Sequence, residues 1–200
     1  MKLLLFTDLH ANPKAISILL EKAKKEKPDY LICTGDISVF GTKLEEVIRK
    51  FKPLNIPFIL IPGNHEEGLA MKEVCSKYSF VIYLHKRILV KEDYLFFGYG
   101  GGGFCLVDSK FEDFTKKLEN QFEGKKVIFL AHAPFYGTNL DVLFEGDRHR
   151  GNTSFTQFIK KIKPVLAVCG HFHECFGKKD KIGKTLVINP GQRGALLELP

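Results

Sequence analysis

The 200-residue chain has no tryptophan, only two methionines and five cysteines, and no apolar run near bilayer-spanning length. A transmembrane helix needs roughly 20 consecutive apolar residues, so no such span and no membrane partner are expected. The opening Met1-Lys2-Leu3-Leu4-Leu5-Phe6 superficially resembles an export signal. It stops at Thr7-Asp8 with no small-residue cleavage site behind it, and it reads as a first β-strand. Five cysteines, odd in number and without paired spacing, argue against a secreted disulfide framework, so reduced thiols in the cytoplasm are expected. Repeats, low-complexity tracts and linker-like stretches are also missing, and the length predicts one domain over residues 1–200.

What is present is a folding composition. The chain is 44% hydrophobic with 18 phenylalanines, which excludes a disordered polymer. Its formal net charge of +7 draws anions without choosing among nucleic acid, phosphorylated metabolites and membrane surfaces. Much of that charge sits in runs such as Glu21-Lys22-Ala23-Lys24-Lys25-Glu26-Lys27, which read as solvated helix faces.

Short apolar runs alternate with helical patterns. Lys2 to Thr7, Tyr30 to Thr34 and Phe58 to Ile61 predict strands, with helices over Lys14 to Lys27 and Lys43 to Lys50 between them. Asn12-Pro13 predicts an N-cap followed by proline in the first turn. Phe80 to Tyr83, Arg87 to Val90 and Tyr94 to Phe97 predict close-spaced antiparallel strands. Helices follow over Asp108 to Phe122 and Asn152 to Ile162. Further strands are expected at Val127 to Ala131, Val165 to Cys169, Thr185 to Ile188 and Ala195 to Leu199. The alternation predicts an α/β fold of two packed β-sheets flanked by helices, an α-β-β-α sandwich.

Five predicted strands end in the same kind of residue. They deliver Asp8-Leu9-His10, Gly35-Asp36, Gly63-Asn64-His65, His132 and Gly170-His171-Phe172-His173. In open α/β sheets, ligands bind at the carboxyl ends of strands, so Asp8, His10, Asp36, Asn64, His132, His171 and His173 are candidate metal ligands on one edge. A mixed oxygen and nitrogen set suits manganese, iron, zinc or nickel better than calcium or magnesium. Seven ligands are too many for one tetrahedral site and suit two ions sharing a carboxylate. Such a pair clamps the attacking and leaving oxygens of an in-line phosphoryl displacement and makes hydroxide available near neutral pH.

These motifs, in this order, resemble the calcineurin-like metallophosphoesterase superfamily in its small single-domain bacterial and archaeal form. Asn189-Pro190-Gly191 resembles a turn common in those members. The resemblance implies that Asp8, His10, Asp36 and His173 hold one divalent transition ion and that Asp36, Asn64, His132 and His171 hold the other. Manganese is the first expectation, with iron, nickel, zinc or cobalt as alternatives. It implies further that His65, with Asn64, binds phosphate and that His65 stabilises or protonates the leaving oxygen. Two departures stand out. Ala11 replaces a glycine often found after Asp-x-His, and Gly35-Asp36 does not continue as in the protein Ser/Thr phosphatases. The carboxylate that orients the matching histidine in that branch has no counterpart here.

The expected activity is hydrolysis of phosphodiester bonds in a small, nucleotide-like or otherwise phosphorylated substrate. Two divalent ions, two carboxylates and one hydroxide leave a single net positive charge, which a diester monoanion neutralises. A monoester dianion overshoots it and wants an arginine nearby, a place Arg148 or Arg150 in the Asp147-Arg148-His149-Arg150 segment fills. The rivals are a nuclease acting on DNA or RNA and a non-catalytic scaffold on the same fold. Nucleic acid is disfavoured because aromatics are not interleaved with arginines, and a scaffold because every expected position is filled. A structural zinc cluster of Cys169, His171, His173 and Cys175 leaves Asp8, His10 and Asn64 unexplained. Cys33 and Cys169 read as core packing and His85 as a surface residue. Gly100 to Gly103 reads as a flexible turn near the site rim. An exposed strand edge leaves room for a homo-oligomer.

Overall fold

The apolar runs are continuous rather than alternating because both of their faces are covered. The computed structural model describes residues 1–144 and 148–200. Its first half runs β1 (Lys2–Phe6), α1 (Pro13–Glu26), β2 (Tyr30–Cys33), α2 (Leu44–Phe51), β3 (Phe58–Leu60), α3 (Gly68–Ser76) and β4 (Val81–Tyr83). The second half runs β5 (Arg87–Lys91), β6 (Tyr94–Tyr99), α4 (Ser109–Leu118), β7 (Lys126–Ala131), α5 (Thr153–Ile162), β8 (Leu166–Val168), β9 (Lys179–Ile182), β10 (Thr185–Ile188) and β11 (Ala195–Glu198).

Two mixed sheets result, ordered β11-β1-β2-β3-β4 and β5-β6-β7-β8-β10-β9. β1 to β4 are mutually parallel, as are β6, β7, β8 and β10, while β11, β5 and β9 run antiparallel to their neighbours. Leu3 and Leu5 of β1 and Ile32 of β2 point between the sheets, against Phe96, Ile128, Leu130 and Val168. Leu4 and Phe6 point the other way, under Leu19 of α1 and Val47 and Phe51 of α2. On the far side, Phe97 and Phe129 pack on Phe111, Phe155 and Phe158 beneath α4 and α5. Phenylalanine thus fills the place that tryptophan shares in other cores, and helices cover the outer faces as expected.

Helix starts follow local chemistry. Asn12 caps α1 by accepting from the backbone N–H groups of Lys14 and Ala15, with Pro13 in the first turn. Asp108 and Asn152 cap α4 and α5 in the same way. Three sequence expectations need correction. β4 is not part of an antiparallel group with β5 and β6; it pairs parallel to β3 at the edge of the first sheet. α3 and β9 went unforeseen, α3 because it opens on Gly68 directly after a motif, and β9 because Lys179-Asp180-Lys181-Ile182 reads as a loop. His85 is not a surface residue: it is half-buried, and its Nδ1 accepts from the Gly100 N–H at 2.9 Å.

Candidate metal centre

Every motif lies just past the carboxyl end of a parallel strand: β1, β2 and β3 of one sheet and β7 and β8 of the other. The loops are laced together by backbone bonds. Asp8 N–H donates to Gly35 O at 3.0 Å, His10 N–H to Asp36 O at 2.9 Å and Gly170 N–H to His132 O at 2.9 Å. The two sheets are joined there by His171 N–H, which donates to the Asp8 carboxylate at 3.0 Å. Asp8, His10, Ala11, Asp36 and His171 all adopt positive φ, a concentration of backbone strain of the kind found where side chains are aimed for function. Gly63 and Gly170 are there for space, since a Cβ on Gly63 would overlap the Asp36 carboxylate and one on Gly170 would overlap Thr7 and Asp8.

Three donor groups converge: Asp8, His10 and His173; His10, Asp36 and His65; and Asp36, His132 and His171. Asp36 Oδ2 stands between the outer two, 3.9 Å from His10 Nε2 and 3.5 Å from His132 Nε2. His10 Nε2 and His173 Nε2 face each other at 3.2 Å, and His173 Nε2 lies 3.6 Å from Asp8 Oδ1. His132 Nδ1 is 2.9 Å from the Thr34 carbonyl, so its N–H points there and Nε2 is turned toward Asn64 Oδ1 at 2.9 Å. Lone pairs therefore point at one another across the site, an arrangement that a shared cation or proton must hold. His171 Nε2 is buried with no hydrogen-bond partner among the described residues, which costs about 1–3 kcal/mol unless something binds it. Imidazole and carboxylate donors so placed fit divalent transition ions.

The charges agree with that reading. Burial alone would raise Asp36, but bonding and charge from His132, with the His65 N–H, hold it down to about 2. Burial alone would lower His132, but Asp36 and Asp8 raise it to about 9, so the cation-free site keeps a proton there. Burial, aided by the His132 charge, pushes His171 down to about 4 and leaves its lone pair free. Burial likewise lowers His10, whereas the bond to Asp8 raises His173.

Sequence reasoning missed the supports. Glu66 is buried and accepts from Asp36 N–H, Gly63 N–H and Ser38 N–H, each at 2.9 Å, and from Ser38 Oγ at 2.6 Å. It ties the loops after β2 and β3 together. Thr7 Oγ1 donates to Asp8 Oδ2 at 2.6 Å, and Gln192 Nε2 donates to the Asp8 carbonyl at 2.6 Å. Their only sequence signal was adjacency to a motif.

The model of the calcineurin-like phosphoesterases matches residues 1–175. The chain belongs to that family. It is 32% identical to the uncharacterized protein MJ1162 of Methanocaldococcus jannaschii, over 96% of this chain and 89% of that one. It is 31% identical to a probable glycerophosphodiester phosphodiesterase of Arcobacter nitrofigilis, over 74% of this chain and 58% of that protein. The solved structure of TT1561 from Thermus thermophilus has the same fold, with a TM-score of 0.78 at 16% identity over 96% of this chain and 89% of that one.

Within this phosphoesterase fold the remaining candidates divide. Asn64 and His65 are at the centre, with His65 Nε2 3.9 Å from Asp36 Oδ2 and His65 Nδ1 buried without a partner among the described residues. Arg148 and Arg150 are exposed and, among the described residues, join no ion pair with the cluster; their segment is anchored where His149 Nδ1 meets Asp141 Oδ1 at 2.7 Å. Asp147 lies outside the described residues. Cys169 and Cys175 are buried free thiols outside the three donor groups, and Cys33 is buried core. Gly103 stands at the rim beside His171, where a Cβ would come 3.5 Å from its ring. No described helix is long and apolar enough to cross a membrane.

Proposed function

We propose that this phosphoesterase hydrolyses a phosphodiester bond in a small phosphorylated substrate with two divalent transition ions, manganese foremost. Asp8, His10, Asp36 and His173 would hold one, and Asp36, Asn64, His132 and His171 the other. The observation that carries this is Asp36 Oδ2, set between His10 and His132 with a lone-pair cluster on either side. When bound, the ions supply Lewis acidity and lower the pKa of water.

The chain's own residues do the rest. Asn64 and His65 lie on one short turn whose register is fixed by the His65 N–H bond to Asp36 Oδ1 at 2.8 Å, so both face the phosphate together. His65 Nε2 holds the proton that the leaving alkoxide takes up. His132 is kept in one tautomer by Thr34, and Asp8 is held by Thr7 and by the His171 N–H. Arg148 and Arg150 draw the anionic substrate in from solvent. Among the described residues no lysine or arginine pairs with Asp8 or Asp36. The diester is favoured because two divalent ions, two carboxylates and one hydroxide leave a single positive charge, which a diester monoanion neutralises. The name of the Arcobacter relative points the same way.

The test is hydrolysis of bis(p-nitrophenyl) phosphate and of p-nitrophenyl phosphate by protein reloaded with manganese, nickel, zinc or magnesium. The diester should turn over faster, and Asn64→Ala should lose at least about 100-fold in kcat; His65→Ala should lose as much on an unactivated alkyl diester, whose leaving oxygen needs the proton. Equal rates of wild type and His65→Ala on the unactivated diester would remove the proton-donor role.

A further inference from the structure

A cavity of about 830 Å³ opens beside Asn64 and His65, between the Ser38–Lys43 turn with α2 and the helix α3. From the structure we propose that this cavity is the leaving-group subsite and that it selects a planar alcohol, of aryl or nucleoside kind. This rests on the phosphodiesterase reading and names its substrate class.

Phe40 carries the argument. Val39 and Thr42 pair across a two-residue turn, which leaves Phe40 and Gly41 both at positive φ, +47° and +76°. Such turns favour Asn-Gly, and a phenylalanine at the first position is strained. The ring is 76% exposed, so burial gives nothing back. It lies nearly parallel to His65, with centroids 4.1 Å apart and planes 16° apart. A strained, exposed aromatic face stacked on the proposed proton donor is a platform for a flat group departing from phosphorus on that side.

The remaining walls set shape. Met71 and Val74 of α3 give an apolar floor, Lys43 and Glu67 put one charge of each sign at the cavity, and Glu46 there is paired with Lys50 at 3.0 Å. The volume is ample for a nucleoside-sized group.

The lack of tryptophan supplies the probe. Phe40→Trp places a single indole on the platform, and chelator-treated protein can be titrated with adenosine, with glycerol as the non-planar control. Adenosine should quench the indole saturably, glycerol should not, and adding Ala70→Phe, which fills the cavity from α3, should abolish the response. Absence of quenching, or quenching that survives Ala70→Phe, overturns the proposal. Phe40→Asn suits the turn better, so its melting temperature should hold while KM for bis(p-nitrophenyl) phosphate rises at least tenfold. A fall in melting temperature with unchanged KM would show a structural role instead. If wild type turns over no ester with any metal, the phosphodiesterase reading fails, and the quenching experiment still decides whether the cavity takes a planar group.

Discussion

Glu66 occupies a position where one oxygen cannot be spared. Both of its carboxylate oxygens accept, from three backbone N–H groups and one hydroxyl, and two of those donors belong to Asp36 and Gly63. An amide in its place keeps one acceptor and turns an NH₂ toward N–H donors. Glu66→Gln should therefore cost about 1–3 kcal/mol in urea unfolding. It should also lower kcat/KM by more than tenfold, because the loops that Glu66 ties together carry Asp36 and Asn64. Nothing in Glu66-Glu67 told the two carboxylates apart beforehand: one is buried between loops, the other caps α3 through the N–H groups of Leu69 and Ala70. The candidate ligands were legible because each follows a buried strand and repeats a chemical type. Their supports were not, because a bond to a neighbouring loop leaves no periodicity. Ala11 shows the same limit. It stands where the family often has glycine, and its φ of +53° is the conformation for which glycine is favoured.

At the scale of elements, the strands and capped helices were legible wherever burial was two-sided or a cap preceded a periodic run. β4 was misplaced because parallel pairing to β3 is decided by the intervening α3, and α3 itself hides behind Gly68. The glycines of the motifs have a spatial meaning that the sequence pattern does not spell out. Gly170 brings the β8 loop against the β1 loop so closely that a methyl group would enter Thr7 and Asp8. Overpacking of this kind costs about 1–3 kcal/mol. Gly170→Ala should lower the melting temperature and, by pushing Asp8 off His171 N–H, abolish metal-dependent turnover. Circular dichroism and ion titration on the same sample separate the two effects.

At the scale of the molecule, the donors are divided between the sheets. Asp8, His10, Asp36, Asn64 and His65 follow strands of the first, and His132, His171 and His173 follow strands of the second. Ions that bind only the docked pair should stabilise the chain by about 2.7 kcal/mol each at a hundredfold excess over Kd. For this chain length that corresponds to roughly 5–10 °C per ion. Differential scanning fluorimetry should show the gain with manganese, its reversal by chelator and its loss in Asp36→Asn.

The sandwich has a consequence for the order of events in folding. Leu3, Leu5 and Ile32 must already be seated on Ile128, Leu130 and Val168 before the two carboxyl edges meet. Of the three donor groups, that of His10, Asp36 and His65 lies within the first half of the chain, and the other two draw on both halves. Ions held by those two divided groups would follow the docking of the sheets: they would prolong the life of the folded state and leave the rate of its formation to the apolar layer between the sheets.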